Sequence, residues 1–136
     1  RWDKPASIFE EWKAVSDKPM YFAELGADSY MTKSTSKYQK GENQQAQADA
    51  NKIILNEVLV NSDNNIGSFV FQFTDGLWKA GNPDKQDTGG SAPNSDGTPY
   101  DGTANEEYWG IVDINRKKKI TFDVVKEAYV NFDINQ

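Results

Sequence analysis

The stretch DKPMYFAELGADSY, from Asp17 to Tyr30, decides the fold prediction for this chain. Residues Met20 to Ala23 are apolar or aromatic and follow a turn at Pro19, so they predict a short strand. A run that is nearly all apolar is typical of a strand covered on both faces, as in a parallel sheet. The strand ends on Glu24, and Gly26 follows. A carboxylate at the tip of a buried strand is either an ordinary loop acid or a catalytic group that faces a cleft.

A second strand is predicted in the stretch GSFVFQFTD, from Gly67 to Asp75. Its phenylalanine and valine residues favour β structure, and it also ends on a carboxylate. Between the two strands, Ala27 to Gly41 is polar and predicts a loop. A loop of this length usually serves a function or is disordered.

Three helices are predicted around these strands. Ser7 to Val15 has apolar residues at helical spacing and a capping box at its start. Glu42 to Val60 is the strongest helical pattern, and it places the polar Gln47 and Asn51 opposite the apolar stripe. A last helix is predicted to begin at an N-cap, Thr121, and to run through Val130.

The element order is therefore α-β-α-β-α, the alternation of a parallel α/β fold. Ala80 to Asn105 is rich in Gly, Asn, Asp, Ser and Pro and predicts one large loop, and the basic run from Lys117 to Lys119 predicts a solvated turn. Two strands alone leave both edges of a sheet open. We therefore expect residues 1–136 to form part of one domain, with other strands supplied by another chain or a missing segment.

The composition excludes several classes of function. The chain of 136 residues has a net charge of -6, which argues against binding nucleic acid or an anionic membrane surface. It contains no Cys and no His, so acid–base chemistry must use carboxylates, Tyr or Lys. The acidic loop after Ala80 does not match the spacing of a calcium-binding loop. Neither a metal nor a cofactor is expected.

Three stretches of the sequence, taken in their order along the chain, resemble a known family: KPMYFAELGADSY, GSFVFQFTDGLWK and NEEYWGIVDINRKKKITFDVVKEAY. Together they resemble the last quarter of a (β/α)8-barrel retaining glycoside hydrolase, most closely the family of β-galactosidases and β-glucuronidases. The resemblance implies an α/β fold that corresponds to strands 7 and 8 of a TIM barrel with their flanking helices. Barrel enzymes place their active sites at the carboxyl ends of the strands.

The resemblance implies a role for each conspicuous residue. In the family, the seventh strand ends in the nucleophile within a Glu-x-Gly turn, and Glu24 stands at that place. The eighth strand normally offers a Trp as a platform for the sugar, and Phe71 stands there instead. Phe71 and Asp75 are the substrate-binding residues implied by the resemblance, and Trp78, Tyr108 and Trp109 are candidates to take over part of the role of the missing tryptophan. For Trp78 and Trp109, the alternative is packing of the long loop. For Asp75, the alternative is an acid that orients loops or is satisfied by backbone N–H groups.

A retaining glycosidase needs a second carboxyl group, the acid/base. In the family that this chain resembles, the acid/base comes from the fourth strand, which is expected to lie outside this chain. Asn56-Glu57 has the family's dipeptide, but it lies inside a predicted helix and is rejected. The first functional hypothesis is the C-terminal segment of a retaining hydrolase of β-linked saccharides, active with a companion polypeptide that completes the barrel. The alternative is a non-catalytic carbohydrate-binding or structural extracellular protein derived from a barrel. Both indicate an extracellular or secretory location.

Overall fold

The computed structural model describes residues 5–60, 63–88 and 101–134, which form a mixed α/β fold. The elements in chain order are α1 (Ala6–Lys13), β1 (Met20–Leu25), β2 (Tyr30–Met31), β3 (Gly41–Glu42), α2 (Gln44–Val60), β4 (Asn65–Val70), a 3-10 turn (Glu106–Tyr108) and α3 (Ile120–Ile134). Among these helices, none has both the length and the apolar character needed to cross a membrane.

The predicted parallel pairing is confirmed: β1 and β4 lie side by side in parallel, and α2 connects them. Two irregularities interrupt the ladder. Phe22 pairs with Ser68 and Leu25 with Val70, so β1 holds one extra residue between these pairs. Such a bulge bends a strand and re-aims its side chains.

One face of the β1–β4 pair carries the core, and the other face is open. Phe9 of α1 and residues of α2 and α3 pack against the first face. On the second face, Tyr21 is 54% exposed, Ile66 70% and Phe69 64%. These side chains line an open cavity of about 400 Å³. Within the described residues, the strands are therefore covered on one face only.

The second strand ends earlier than predicted, at Val70 rather than at Asp75. The Phe71 N–H still donates to the carbonyl of Leu25 at 2.7 Å, and the peptide bond between Phe71 and Gln72 is cis. Beyond this point the chain pairs with residues 105–119, which we call the returning segment, since the Gln72 N–H donates to the carbonyl of Trp109 at 3.1 Å. The strand-like sequence pattern continues beyond Val70 because residues after it still form backbone hydrogen bonds, but with the returning segment instead of with β1.

The predicted helix starts are displaced. At α1, Pro5 is the N-cap and no side chain caps the helix, so the prediction of a capping box is wrong. At α2, Asn43 Oδ1 accepts the Ala46 N–H at 3.0 Å, which is a side-chain N-cap. Thr121 is not a cap but lies within the first turn of α3.

The predicted polar face of α2 is partly wrong. Gln47 and Asn51 are buried, whereas the apolar Ile53 is 42% exposed. Burial of an amide is tolerated when its polar atoms find partners. Gln47 Nε2 donates to the carbonyls of Ala27 and Gly110, each at 3.0 Å, so α2 holds the loops that follow both strands. The 3.6-residue period does not distinguish such a buried amide from a solvated one.

A steric constraint explains why a glycine occupies position 26, two residues after Glu24. It leads to a first prediction. Gly26 has φ +152°, and a Cβ there would lie 2.5 Å from the carbonyl oxygen of Phe71. We expect Gly26→Ala to lower the free energy of unfolding by about 2–4 kcal/mol, measured by chemical denaturation. Gly76→Ala is the control, because no atom lies within 4 Å of its added Cβ. Equal effects of both variants would contradict the steric explanation.

Candidate functional site

Glu24 lies on the bulge of β1, and its side chain is exposed. Ala23 and Glu24 are both exposed, whereas Leu25 is buried, so the bulge breaks the alternation of faces at this point. The exposed carboxylate therefore lies near the carboxyl end of the strand. A carboxylate held on a strand with its oxygens open to solvent is able to reach a ligand above the strand end.

Phe71 lies directly beside this strand end, as its N–H bond to Leu25 shows. The rings of Trp109 and Phe71 pack in a T-shaped arrangement, with 5.8 Å between their centroids and 68° between their planes. Both side chains are half-buried. The returning segment thus brings Trp109 to the predicted platform residue, one strand away from Glu24.

Trp78 and Lys79 extend this group of aromatic side chains. Trp78 is 71% exposed. The Lys79 Nζ atom lies 4.7 Å from the centroid of the Phe71 ring and 5.7 Å from that of the Trp78 ring. An ammonium at these distances from an aromatic face is attracted by the ring. We call Phe71, Trp78, Lys79 and Trp109 the aromatic cluster.

Asp75 lies in the interior, only 3% exposed. Its Oδ1 atom accepts the Gly110 N–H at 2.8 Å and the ammonium of Lys119 at 2.7 Å. Its Oδ2 atom accepts Gln86 Nε2 at 3.1 Å. Burial raises the pKa of the Asp75 carboxyl, while the neighbouring ammonium and the two amide donors oppose that shift. Protein groups thus occupy both oxygens, as expected for an acid that orients loops.

Tyr108 is also buried, and its ring packs against Tyr30 with 4.9 Å between centroids. Burial is the largest cause that raises the pKa of its hydroxyl to about 12. Its carbonyl accepts the Ser29 N–H at 3.0 Å. The residue therefore joins the loop after β1 to the returning segment, below the aromatic cluster.

The prediction of a solvated turn from Lys117 to Lys119 is wrong for Lys119. Lys117 and Lys118 are exposed, but Lys119 is 2% exposed. Its ammonium donates to Asp75 Oδ1 at 2.7 Å, to Ser29 Oγ at 2.9 Å and to the carbonyl of Tyr108. Sequence patterns missed this residue because three lysines in a row are usually solvated. Its buried carboxylate partner makes the burial tolerable.

A second buried acid, Asp28, lies two residues beyond Gly26. Its Oδ2 atom accepts the Tyr30 N–H at 3.2 Å and Asn105 Nδ2 at 3.4 Å. Burial raises the pKa of its carboxyl well above the usual value. Asp28 and the fully buried Asn105 thereby hold the loop after β1 to the start of the 3-10 turn.

The 3-10 turn is fixed by its middle residue. Glu107 is fully buried, and its two carboxylate oxygens accept the N–H groups of Ala80 and Asp87 at 2.7 and 2.6 Å. Next to it, Glu106 forms an ion pair of 2.6 Å with Lys79. The turn therefore supports the loop that carries the exposed Trp78.

The predicted site residues lie at two depths in the structure. Glu24, Phe71, Trp78 and Trp109 lie around one end of the β1–β4 pair, at or near the surface. Asp75 and Tyr108 lie beneath them. In the described parts of the chain, no three acidic side chains converge on a point where a metal ion would be held.

Comparison with solved structures identifies the fold. The chain superimposes on a GH2 β-galacturonidase from Eisenbergiella tayi, bound to galacturonate, with a TM-score of 0.61 and 24% identity over 96% of this chain and 21% of the enzyme. It also superimposes on a β-glucuronidase from Bifidobacterium dentium, complexed with coumarin-3-O-glucuronide (TM-score 0.55, 18% identity, 91% of this chain and 16% of the enzyme). An exo-β-agarase gives a TM-score of 0.60 with 17% identity over 98% of this chain and 15% of the enzyme.

The resemblance stated from the sequence is confirmed as a likeness of fold to these glycoside hydrolases. No protein-family model and no curated protein matches the chain. The chain spans about a fifth of the length of the β-galacturonidase. Structurally it therefore corresponds to a segment of such an enzyme.

Proposed function

We propose that this chain is the C-terminal barrel segment of a retaining glycoside hydrolase that cleaves O-glycosidic bonds of a β-linked saccharide, with Glu24 as its nucleophile. The observation that carries this proposal is the exposed Glu24 carboxylate on the bulge of β1, next to the aromatic cluster on the neighbouring strand end. Strands 7 and 8 of the barrel would be β1 and β4. The likeness of fold to glycoside hydrolases supports this assignment.

The chemistry requires a second carboxyl group. In a retaining mechanism, one carboxylate attacks the anomeric carbon, and a second group, about 5–5.5 Å away, protonates the leaving oxygen and later deprotonates water. Glu57, in the dipeptide that resembles the family's acid/base, lies within α2 and not at a strand end. The acid/base would therefore come from the rest of the barrel.

The open side of the sheet supports a companion polypeptide, or a further segment, as the partner of this chain. Tyr21, Ile66 and Phe69 expose apolar surface around the open cavity, on the face of the sheet away from the helices. Exposed apolar patches of this kind mark surfaces that contact other protein. In a closed barrel, further strands would pair with the outer edges of β1 and β4 and cover this face.

The other predicted residues divide into two roles in this proposal. Phe71, Trp78 and Trp109 would contact the sugar, because aromatic faces at or near the surface can pack on the C–H face of a sugar ring. Asp75 and Tyr108, which are buried, would position the returning segment that carries Trp109. An extracellular or secretory location follows from a polysaccharide substrate and is proposed with it.

The experiment that tests the proposal is trapping of the covalent intermediate. The assembled enzyme, meaning this chain with the polypeptide that completes the barrel, is treated with activated 2-deoxy-2-fluoro-β-glycosides and digested. We expect the mass of one fluorosugar on the peptide that contains Glu24. A label on another carboxylate would refute the nucleophile assignment.

The same experiment distinguishes the hydrolase from the alternative function. Phe71 in place of a tryptophan offers less stacking area and no N–H donor. This substitution favours the second candidate, a non-catalytic carbohydrate-binding or structural protein. Binding of saccharide without turnover and without any covalent label would support that candidate and reject the hydrolase.

A further inference from the structure

Lys79 of the aromatic cluster forms an ion pair with Glu106, at the same end of the sheet as Glu24. Lys79 Nζ and Glu106 Oε2 are 2.6 Å apart, and their side chains are 23% and 24% exposed. The pair is thus partly accessible. Neither side chain is required by the two-carboxylate chemistry of a retaining mechanism.

The pair is held in place from several sides. The Lys79 ammonium lies over the Phe71 ring at 4.7 Å, so the platform residue and the cation are in contact. Glu106 belongs to the 3-10 turn, which the buried Glu107 carboxylate fixes to the N–H groups of Ala80 and Asp87. A donor and an acceptor therefore stand side by side on a fixed backbone.

Lys79 and Glu106 together have the chemistry that suits sugar hydroxyl groups. An ammonium only donates hydrogen bonds and a carboxylate only accepts them, whereas a hydroxyl does both. Neighbouring hydroxyls of a sugar that lies beside the pair can therefore accept from Lys79 and donate to Glu106. Hydrogen bonds to charged groups are shorter and stronger than those between neutral groups.

The charge balance disfavours an anionic sugar. Glu106 neutralises Lys79, and two further lysines of this region are paired as well: Lys119 with Asp75 at 2.7 Å, and Lys85 with Asp87 at 3.2 Å. In the sequence, residues 89–100 contain one Asp and no Lys or Arg. A ligand carboxylate placed at Lys79 would lie beside the carboxylate of Glu106, and like charges at close range repel each other.

We propose that the Lys79–Glu106 pair is a specificity-determining element that binds hydroxyl groups of an uncharged sugar and discriminates against uronic acids. The inference rests on the proposed hydrolase function and names its substrate class. It sets this chain apart from the β-galacturonidase and β-glucuronidase whose fold it shares.

The test measures kcat/KM of the assembled enzyme on 4-nitrophenyl β-D-galactoside and β-D-glucoside and on the two corresponding uronides. We expect the wild type to prefer a neutral glycoside by about 100-fold or more. Glu106→Gln should lower kcat/KM on the neutral glycoside by about tenfold or more and raise it on the uronide, because Lys79 loses its counter-charge. Lys79→Met should lower kcat/KM on the neutral glycoside and give no gain on the uronide.

Glu10→Gln is the matched control, since Glu10 also forms an ion pair, with Lys13 at 3.3 Å, but on the exposed surface of α1. It should leave both kcat/KM values unchanged. Wild-type preference for a uronide, or a Glu106→Gln variant with an unchanged preference, would overturn the inference. In both of those cases turnover persists and Glu24 is still labelled, so the hydrolase proposal survives. A failure of the hydrolase proposal instead gives no turnover of any substrate.

Discussion

Glu24→Gln is expected to abolish turnover, with a loss of kcat of about 10⁴-fold or more, while the protein remains folded. An amide of the same shape cannot form the glycosyl ester that a retaining mechanism requires. Because Glu24 is exposed on the bulge of β1, the substitution removes no buried contact. The free energy of unfolding should therefore change by less than about 0.5 kcal/mol. Steady-state kinetics and chemical denaturation of the assembled enzyme measure the two effects.

A chemical rescue distinguishes a missing nucleophile from a disturbed site. Glu24→Ala leaves space above the strand end, and added azide can attack the anomeric carbon from that side. We expect azide to restore release of 4-nitrophenol and to yield the α-glycosyl azide from a β-glycoside. Glu127→Gln, on an exposed position of α3, is the control and should keep wild-type activity. A large loss of stability in Glu24→Gln would instead identify a structural acid.

Sequence patterns predicted the strand that carries Glu24 and the turn after it because strong local constraints act there. The apolar run before Glu24 predicts the strand, and Gly26 marks the place where the backbone of Phe71 comes too close for a side chain. The parallel order and the helix between the strands also followed from periodicity. Local sequence was therefore sufficient for the three helices and the two parallel strands, although β1 runs one residue past Glu24, to Leu25. It did not predict the short pair β2 and β3, which lies in and at the end of the predicted loop from Ala27 to Gly41.

Sequence patterns failed where partners distant in the chain determine burial. Lys119 lies 44 residues from Asp75, and Gln47 lies 63 residues from Gly110, yet each pair forms a buried hydrogen bond. A lysine in a basic run and a glutamine on a helix are ordinarily solvated. Their burial becomes predictable only when the returning segment is placed against both strand ends, which no local period encodes.

Lys119→Met is expected to be the most destabilising of the substitutions considered. The ammonium of Lys119 is fully buried and contacts Asp75, Ser29 and the carbonyl of Tyr108. Its removal leaves the Asp75 carboxylate buried without its counter-charge, which typically costs about 3–5 kcal/mol. Native-state hydrogen exchange should report this loss at the Gly110 N–H, which donates to Asp75, and at the Ser29 N–H, which donates to Tyr108. Lys117→Met, an exposed neighbour, is the control and should change exchange very little.

The pH dependence of this variant identifies the cause. Burial already raises the pKa of Asp75 in the wild type, and loss of the Lys119 ammonium raises it further. Since the folded-state pKa then lies above the value of about 3.9 in the unfolded chain, folding takes up a proton in the range between the two. The stability deficit of Lys119→Met should be smallest below about pH 4 and grow as the pH rises through the folded-state pKa. A deficit that is equal at pH 4 and pH 7 would mean that lost packing, rather than an unpaired carboxylate, destabilises the variant.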